Sequence, residues 1–419
     1  MAPKGMHDIL PADWPWWNRV LDVAADLANF YNFGKIETPL VEQTDLFYKG
    51  VGGATDVVEK EMYSFKTKGG DALSLRPEGT ASVVRAYVEH RLSKTNPLQK
   101  LWYEGPMFRH EKPQAGRYRE FHQIGFEVLG GVSDPLYDAE VILIFWRLLE
   151  ELKIKRVILK VNSVGCRVCR PIYIKQLQAY YKNHVKDICK DCQERLVTSP
   201  LRLLDCKNPV CQPIKEKAPN FFNKLCTTCS THFSAVLEYL DELKIPYTLD
   251  NYLVRGLDYY SRTVFEMYVE GVGEELKALP AGGRYDYLFE MLGNRPTPAV
   301  GAAVGIERLI GVMKAQEIAL PQKKEKRVFV IHVGDRAKKK VLAVIEALRE
   351  AGIPVSEALS RESLSAQLKM ANKEGLKVAV ILGQKEVFEE SIIVRDLEGS
   401  TQESVPMKKM VEEIKKKLK

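Results

Sequence analysis

Between Trp102 and Gly130 the chain concentrates side chains suited to anion chemistry. Arg109, Glu111, Arg117, Arg119, Gln123 and Glu127 stand between two strand-like apolar runs. A basic loop containing Pro113 and Gly116 joins the runs, so the stretch predicts a hairpin that holds guanidinium groups toward a phosphate. A solvated, charged hairpin would carry the same letters. Three further stretches place charged or aromatic groups at breaks in the backbone pattern. In RPEGT, Glu78 and Thr80 sit where a strand gives way to a helix that Thr80 would cap, a place that serves a ligand as readily as a bare cap. In LVRGLDYY, Arg255, Tyr259 and Tyr260 bracket Gly256, and in AGGRYD a predicted tight turn carries Arg284, Tyr285 and Asp286. Arg308 lies near the start of a helix whose apolar positions are explained by core packing while the arginine is not.

A second chemistry belongs to the eight cysteines: Cys166 and Cys169, Cys189 and Cys192, Cys206 and Cys211, Cys226 and Cys229. Three of the four pairs have CxxC spacing, which lets both sulfurs of a pair face one ion. Zinc, bound by four thiolates, is the expected metal. Reduced-thiol packing and a redox role are the other readings. The order of the cysteines along the chain leaves open which pairs share an ion.

The elements that must position these groups follow from hydrophobic period. Trp17, Val20, Leu21, Ala24, Leu27 and Ala28 predict an amphipathic helix ending before Gly34, and a β-like segment runs to Pro39. A flexible glycine loop is expected from Gly52, a second helix from 134 to 153, and close packing of the small residues of PAVGAAVGIERL on a sheet. The run RVILKVNSVG predicts a strand leading into the cysteine-bearing segment, and FSAVLEYLDELKI a helix after it. Past a polar, basic linker, strands and helices alternate and predict a small α/β domain with a largely parallel sheet, with a binding or a purely structural role. At 419 residues the chain has room for two or three cores. Its 45% hydrophobic and 28% charged residues are those of a soluble globular protein, and no apolar run approaches a bilayer span. The N-terminus has no signal-peptide pattern, so a cytoplasmic protein is expected. A net charge of +7 permits a polyanionic partner without requiring one.

Taken together, RPEGT, FRHEKPQAGRYREFHQ, LVRGLDYY, AGGRYD and AVGIERL resemble the histidyl-tRNA synthetases, a family of class II aminoacyl-tRNA synthetases. The likeness runs from GMHDILP near the start through the final domain. It implies an α+β fold. A class II catalytic domain, an antiparallel sheet flanked by helices, would occupy 1–165 and 240–316. A Cys-rich insertion would span 166–239, a linker 317–326 and an α/β anticodon-binding domain 327–419. It implies a homodimer, with the segment around Pro39 at the interface. It also implies an ATP-dependent ligase that joins histidine to tRNA(His), with Mg2+ beside ATP.

By that resemblance Arg109 and Arg255 hold the α-phosphate from opposite sides, Arg255 also reaching the histidine carboxylate, and Arg308 holds the γ-phosphate. Glu111, Arg117, Arg119 and Phe121 add ATP contacts. Glu78, Thr80 and Gln123 accept from the histidine ammonium group, and Glu78 and Gln123 also stand near the reacting carbonyl. Glu127 and Tyr260 meet the two imidazole nitrogens, with Tyr259 and Tyr285 beside them, and Gln114 contacts tRNA. The competing expectation is a non-catalytic, synthetase-like regulatory subunit of a histidine-biosynthesis phosphoribosyltransferase. Such a subunit would lose ATP or tRNA parts, whereas Arg109, Arg255, Arg308 and a full C-terminal domain are all present.

Overall fold

The computed structural model describes all residues except 54, 56, 113–115, 322–325, 400 and 419. Gln114 therefore lies outside the described residues. The chain divides into Met1–Leu320 and Pro321–Lys419. In the first unit the strands are β1 (Gly34–Lys35), β2 (Val41–Gln43), β3 (Ser64–Lys66), β4 (Ala72–Leu75), β5 (Leu98–Phe108), β6 (Glu120–Gly130), β7 (Val157–Ser163), β8 (Tyr247–Leu249), β9 (Ser261–Val269), β10 (Ala278–Arg284) and β11 (Ala299–Gly305). Among the described residues they form a sheet ordered β1-β5-β6-β11-β10-β9-β7-β8 and a small sheet β2-β4-β3. The interior pairings of the large sheet are antiparallel, and its two edge pairings are parallel.

The hairpin expected between Trp102 and Gly130 is β5 and β6, which pair from Leu98↔Gly130 to Phe108↔Glu120. Because side chains alternate across a strand, β6 is divided between two tasks. Ile124, Phe126 and Val128 enter a core with the helices Trp14–Phe30, Pro135–Glu151 and Ile306–Ala315. There Phe126 meets Phe33 and Phe145 edge-on and stacks on Trp102. Gln123, Gly125 and Glu127 take the opposite face. That face carries a second core, in which Leu101, Tyr103 and Leu129 join Val83 and Val84 of the helix Thr80–Glu89 and Tyr173, Leu177 and Leu203 of the cysteine-bearing segment.

Several local expectations change. AGGR is the end of β10 rather than a tight turn, and its glycines let strands approach: a Cβ at Gly282 would run into the Gly301 carbonyl and Ala302. The small-residue stretch before Glu307 is β11, with the helix starting only at Ile306. Helical turns at Tyr48–Gly52 and Val57–Glu61 flank the expected glycine loop, of which residues 54 and 56 lie outside the described ones. The β-like segment before Pro39 is reduced to β1, and the next strand begins beyond it at Val41. The helix expected from Phe233 begins at Thr227.

Arg284 proves structural. It is fully buried and forks onto Asp138, whose other partner is His232 Nε2 at 3.3 Å, while Arg284 Nη1 reaches Asp286 at 3.1 Å. Burial opposes the Asp138 charge, but Arg284 and His232 outweigh it and bring its pKa down to about 2. A depressed carboxylate pKa stabilises the fold above the unfolded value and loses that contribution as pH falls toward the folded one. Asp138→Asn is therefore expected to cost about 3 to 5 kcal/mol in urea unfolding at pH 7, since Arg284 would be left buried without its counter-charge. The gap should narrow as pH drops from about 4 toward 2; a constant gap would mean that the charge pair is not its source.

In Pro321–Lys419 the strands are β12 (Val328–His332), β13 (Val355–Glu357), β14 (Val378–Leu382), β15 (Ser391–Asp396) and β16 (Gln402–Pro406), ordered β13-β12-β14-β15-β16. β12 pairs in parallel with β13 and β14, but β14-β15 and β15-β16 are antiparallel, so the sheet is mixed rather than largely parallel. The cause is local: only the five-residue helix Gln384–Phe388 separates β14 from β15, too short a connection for a parallel crossover. No helix among the described residues is long and apolar enough to cross a membrane.

Candidate active site

One cavity of about 890 Å3, counting its open mouth, lies against the site face of β5, β6, β9, β10 and β11. It gathers residues from RPEGT, FRHEKPQAGRYREFHQ, LVRGLDYY, AGGRYD and AVGIERL, and from none of the cysteine pairs. Glu78, Thr80, Arg109, Glu111, Arg117, Phe121, Gln123, Arg255, Tyr259, Tyr260 and Arg308 all line it. Glu127 and Tyr285 are buried beneath and join through Thr80. Arg119 stands apart from the lining, with its Nε 3.2 Å from the Glu111 carbonyl.

The cationic end is built by strand ends and one helix start. Arg109 follows β5, fixes its Nε on the Pro77 carbonyl at 2.9 Å and lies 5.4 Å from the Phe121 ring centroid. Arg308 is held by the Gly116 and Ala278 carbonyls, each at 3.0 Å. Burial lowers the Arg308 pKa, and Arg117 and Arg109 push it in the same direction while Glu111 only partly offsets them. Guanidinium groups repelling one another in a half-buried cavity leave a place that an anion completes. Arg255, on the loop before β9, pairs with Glu266 Oε2 at 3.2 Å. Burial opposes its charge, and Glu266 overcomes that to raise its pKa. Arg255 Nε is buried without a hydrogen-bond partner among the described residues.

The other end is carboxylate and phenol. Glu78 accepts the N–H groups of Thr80 and Ala81, both at 2.8 Å, and so caps the helix that Thr80 was expected to cap; Thr80 is the first helical residue. Its freed hydroxyl donates to Glu127 Oε1 at 2.7 Å, while Tyr285 donates to Oε2. Burial raises Glu127 to about 8, against these two hydrogen bonds and with help from nearby Glu78. Burial also raises the pKa of Glu78, opposed by the two backbone bonds and by Arg109. Tyr259 packs between Tyr260 and Tyr285, with ring centroids 4.7 and 5.6 Å away. Gln123 Oε1 and Tyr103 Oη are buried with no hydrogen-bond partner among the described residues. A small polar ligand with several donors would satisfy such a pocket.

Tyr103, Tyr118, Glu266 and Glu307 are among the lining residues that sequence reasoning missed. Tyr103 sits in a run that reads as plain core. Glu266 lies in the middle of β9, and only the register Gly282↔Phe265 and Ala281↔Glu266 reveals that it faces the site. The cysteines, which sequence left unpaired, form two groups: Cys166, Cys169, Cys226 and Cys229, and Cys189, Cys192, Cys206 and Cys211.

Comparison with known proteins identifies the family. Residues 5–309 match the family model described as histidyl-tRNA synthetase, and residues 327–417 match that of an anticodon binding domain. The histidine–tRNA ligase of Dehalococcoides mccartyi is 44% identical over the whole chain and 99% of its own length. That of Natranaerobius thermophilus is 42% identical over 99% of this chain and 98% of its own. The apo crystal structure of S. aureus histidyl-tRNA synthetase superposes with a TM-score of 0.82 at 34% identity, covering 99% of both chains. A Bacillus halodurans protein described as an ATP phosphoribosyltransferase regulatory subunit/histidyl-tRNA synthetase shares the fold, with a TM-score of 0.64 at 21% identity over 91% of this chain and 98% of that one. The chain belongs to the histidyl-tRNA synthetase family.

Proposed function

We propose that the protein is an ATP-dependent histidine–tRNA ligase working in two steps. The histidine carboxylate attacks the α-phosphorus of ATP; the α–β phosphoanhydride bond breaks and pyrophosphate leaves. The terminal ribose hydroxyl of tRNA(His) then attacks the acyl carbonyl of histidyl-adenylate and AMP departs. The observation that carries this reading is the union, in one cavity, of an under-neutralised arginine end with a carboxylate-and-phenol pocket. A regulatory subunit would not need the arginine end.

The attacking carboxylate is ionised at neutral pH, so the first step requires alignment and charge neutralisation rather than a base. Arg109 and Arg255 are assigned to the α-phosphate and histidine carboxylate, and Arg308 to the γ-phosphate. Glu111, Arg117 and Arg119 are assigned to further ATP contacts, with Phe121 stacking on adenine. Glu78, Thr80 and Gln123 are assigned to the ammonium group of histidine, with Glu78 and Gln123 near the reacting carbonyl. Glu127 and Tyr260 are assigned to the imidazole, flanked by Tyr259 and Tyr285. Mg2+ would come with ATP and neutralise phosphate charge. Glu111 and Glu266 supply carboxylate oxygens in the same cavity, the donor type a hard cation takes.

The same reading divides the chain into a catalytic domain (1–165 and 240–316), an insertion (166–239) that holds structural zinc, a linker (317–326) and an anticodon-binding domain (327–419). tRNA would meet Gln114 at its acceptor end and the last domain at the anticodon, where unstacked bases can be read. The protein would act in the cytoplasm as a homodimer. Exposed Leu40 and Val41 beside Pro39 offer apolar surface to a second copy.

The deciding assay is histidine-dependent exchange of pyrophosphate into ATP by the full-length chain, which is expected; its absence from a folded sample would overturn the ligase reading. A finer test uses Gly301, which lies opposite Glu127 in the β11-β6 register and whose Cβ would fall within the Glu127 carboxylate. Gly301→Ala is expected to raise KM for histidine at least about tenfold, from the displaced carboxylate, with a smaller change for ATP. An unchanged histidine KM would remove Glu127 from the pocket.

A further inference from the structure

The two cysteine groups have the dimensions of metal sites. Cys166 Sγ lies 3.8 Å from Cys169 Sγ and 3.7 Å from Cys226 Sγ; Cys189 and Cys206 are 3.9 Å apart, as are Cys192 and Cys211. All four sulfurs of each group lie within 4.8 Å of one another. A tetrahedron of thiolates around zinc, with Zn–S about 2.3 Å, has an edge of about 3.8 Å. A disulfide would bring two sulfurs to about 2.05 Å. Backbone N–H groups point at the sulfurs: Cys166 N to Cys169 Sγ at 3.2 Å, Val168 N to Cys166 Sγ at 3.4 Å, Cys189 N to Cys211 Sγ at 3.2 Å and Asn208 N to Cys206 Sγ at 3.4 Å. Such bonds stabilise thiolates and orient them. Apolar packing of thiols would require neither the matched edges nor the donors.

The pairing is nested. The first and last CxxC pairs close the neck of the inserted segment, and the middle cysteines form the second group inside it. Segments next to both groups border the loop that carries Arg255, Tyr259 and Tyr260. At the neck, Val164 N donates to the Arg262 carbonyl and Arg262 N to the Gly165 carbonyl, each at 2.8 Å. Arg170, next to Cys169, donates to the Val164, Gly165 and Tyr260 carbonyls. From the inner group, the turn Pro200–Asp205 runs straight into Cys206 and carries Arg202. Burial raises the pKa of Asp258, in the middle of the loop, and the charges of Arg202 and Arg170 oppose that rise. A second cavity, bordered by Arg170, Arg202, Asp258 and Tyr260, separates insertion from loop.

We propose that the insertion binds two zinc ions, one at Cys166, Cys169, Cys226 and Cys229 and one at Cys189, Cys192, Cys206 and Cys211, and that together they position the histidine-recognition loop through Arg170 and Arg202 acting on Asp258. The loop's role rests on the proposed ligase reading; the metal sites do not. Arg170 and Arg202 are positioning residues.

Elemental analysis of the full-length protein, purified under reducing conditions, should find two zinc ions per chain, one for each group; a folded chain holding fewer overturns the proposal. The nested pairing predicts that Cys166→Ser with Cys226→Ser retains one ion, while Cys166→Ser with Cys206→Ser loses both; the reverse pattern overturns the pairing. Histidine and ATP affinities, measured by equilibrium dialysis, then test positioning without relying on turnover. Stepwise zinc withdrawal by a chelator from folded wild type, and Asp258→Asn with both ions retained, should each weaken histidine binding about tenfold while ATP binding moves less than about twofold. Equal losses for both ligands, or none, would overturn the positioning role even where a cysteine variant fails to fold. Two bound zinc ions and zinc-sensitive histidine binding in a protein without pyrophosphate exchange would remove the ligase reading and leave this proposal standing.

Discussion

Replacing Arg255 with alanine is expected to lower kcat/KM for histidine-dependent pyrophosphate exchange by about a thousandfold, or roughly 4 kcal/mol of transition-state stabilisation. The size follows from where the guanidinium sits. Its side chain is only 22% exposed and is paired with Glu266 on one side, and its buried Nε has no hydrogen-bond partner among the described residues. In such surroundings a permanent charge aimed at a phosphorane-like transition state is worth far more than in solution. Deleting it also leaves Glu266 without its counter-charge, so thermal unfolding must accompany the kinetics, and a second variant is needed. Arg255→Lys keeps the charge but loses the planar fork, and should recover part of the rate. Near-normal exchange in a folded Arg255→Ala protein would sink the assigned role. A fall in rate matched by loss of folded protein, with no recovery in the lysine variant, would make Arg255 a structural partner of Glu266 only.

The hairpin, the helix Trp14–Phe30 and the α/β alternation of the last unit were legible in sequence because each depends on local period and on turn residues nearby. The hidden features depend on register or on distance in the chain. Glu78 and Thr80 could be assigned to a helix start, but which of them caps it depends on the side-chain geometry of one turn. Arg284 and Tyr285 are neighbours in a motif that reads as one unit. Arg284, at the end of β10, turns to a buried ion pair with Asp138, and Tyr285, just past the strand, to Glu127, so adjacent letters serve stability and site separately. AGGR reads as a turn in sequence because paired glycines serve both turns and close strand approach, and only the neighbouring β11 distinguishes them. Cysteine spacing announced metal chemistry, while the nested pairing joins residues 60 apart and is set by the fold. Glu266 gave no signal, since a lone carboxylate in a β-branched strand reads as a solvent-facing position.

Glu127→Gln should separate binding from stability through pH. Burial holds the Glu127 carboxyl at about 8, so the ligand-free protein carries it largely protonated at pH 7. A neutral imidazole offers one N–H donor and one acceptor nitrogen. Donation to Glu127 favours the carboxylate form, so histidine binding should release a proton near neutrality, and affinity should climb as pH rises toward 8. The glutamine variant has no charge to develop. It is expected to raise KM for histidine about a hundredfold, because a buried site that loses its matched partner discriminates strongly, and to lose the pH limb near 8. Stability should move the other way. A carboxyl whose folded pKa lies above its unfolded value binds more protons in the folded state between those values, so the wild type loses stability as pH rises from about 4.5 to 8. At about 1.4 kcal/mol for each pH unit across such a window, the sum is of order a few kcal/mol. Denaturant unfolding at several pH values should therefore show Glu127→Gln gaining on wild type as pH rises, although the amide pairs less well with Thr80 and Tyr285. Parallel stability curves, or a histidine KM near that of wild type, would refute a charged Glu127 at the imidazole. The conflict between the two expected effects is physical: the carboxylate that recognises histidine is costly to keep buried until histidine arrives.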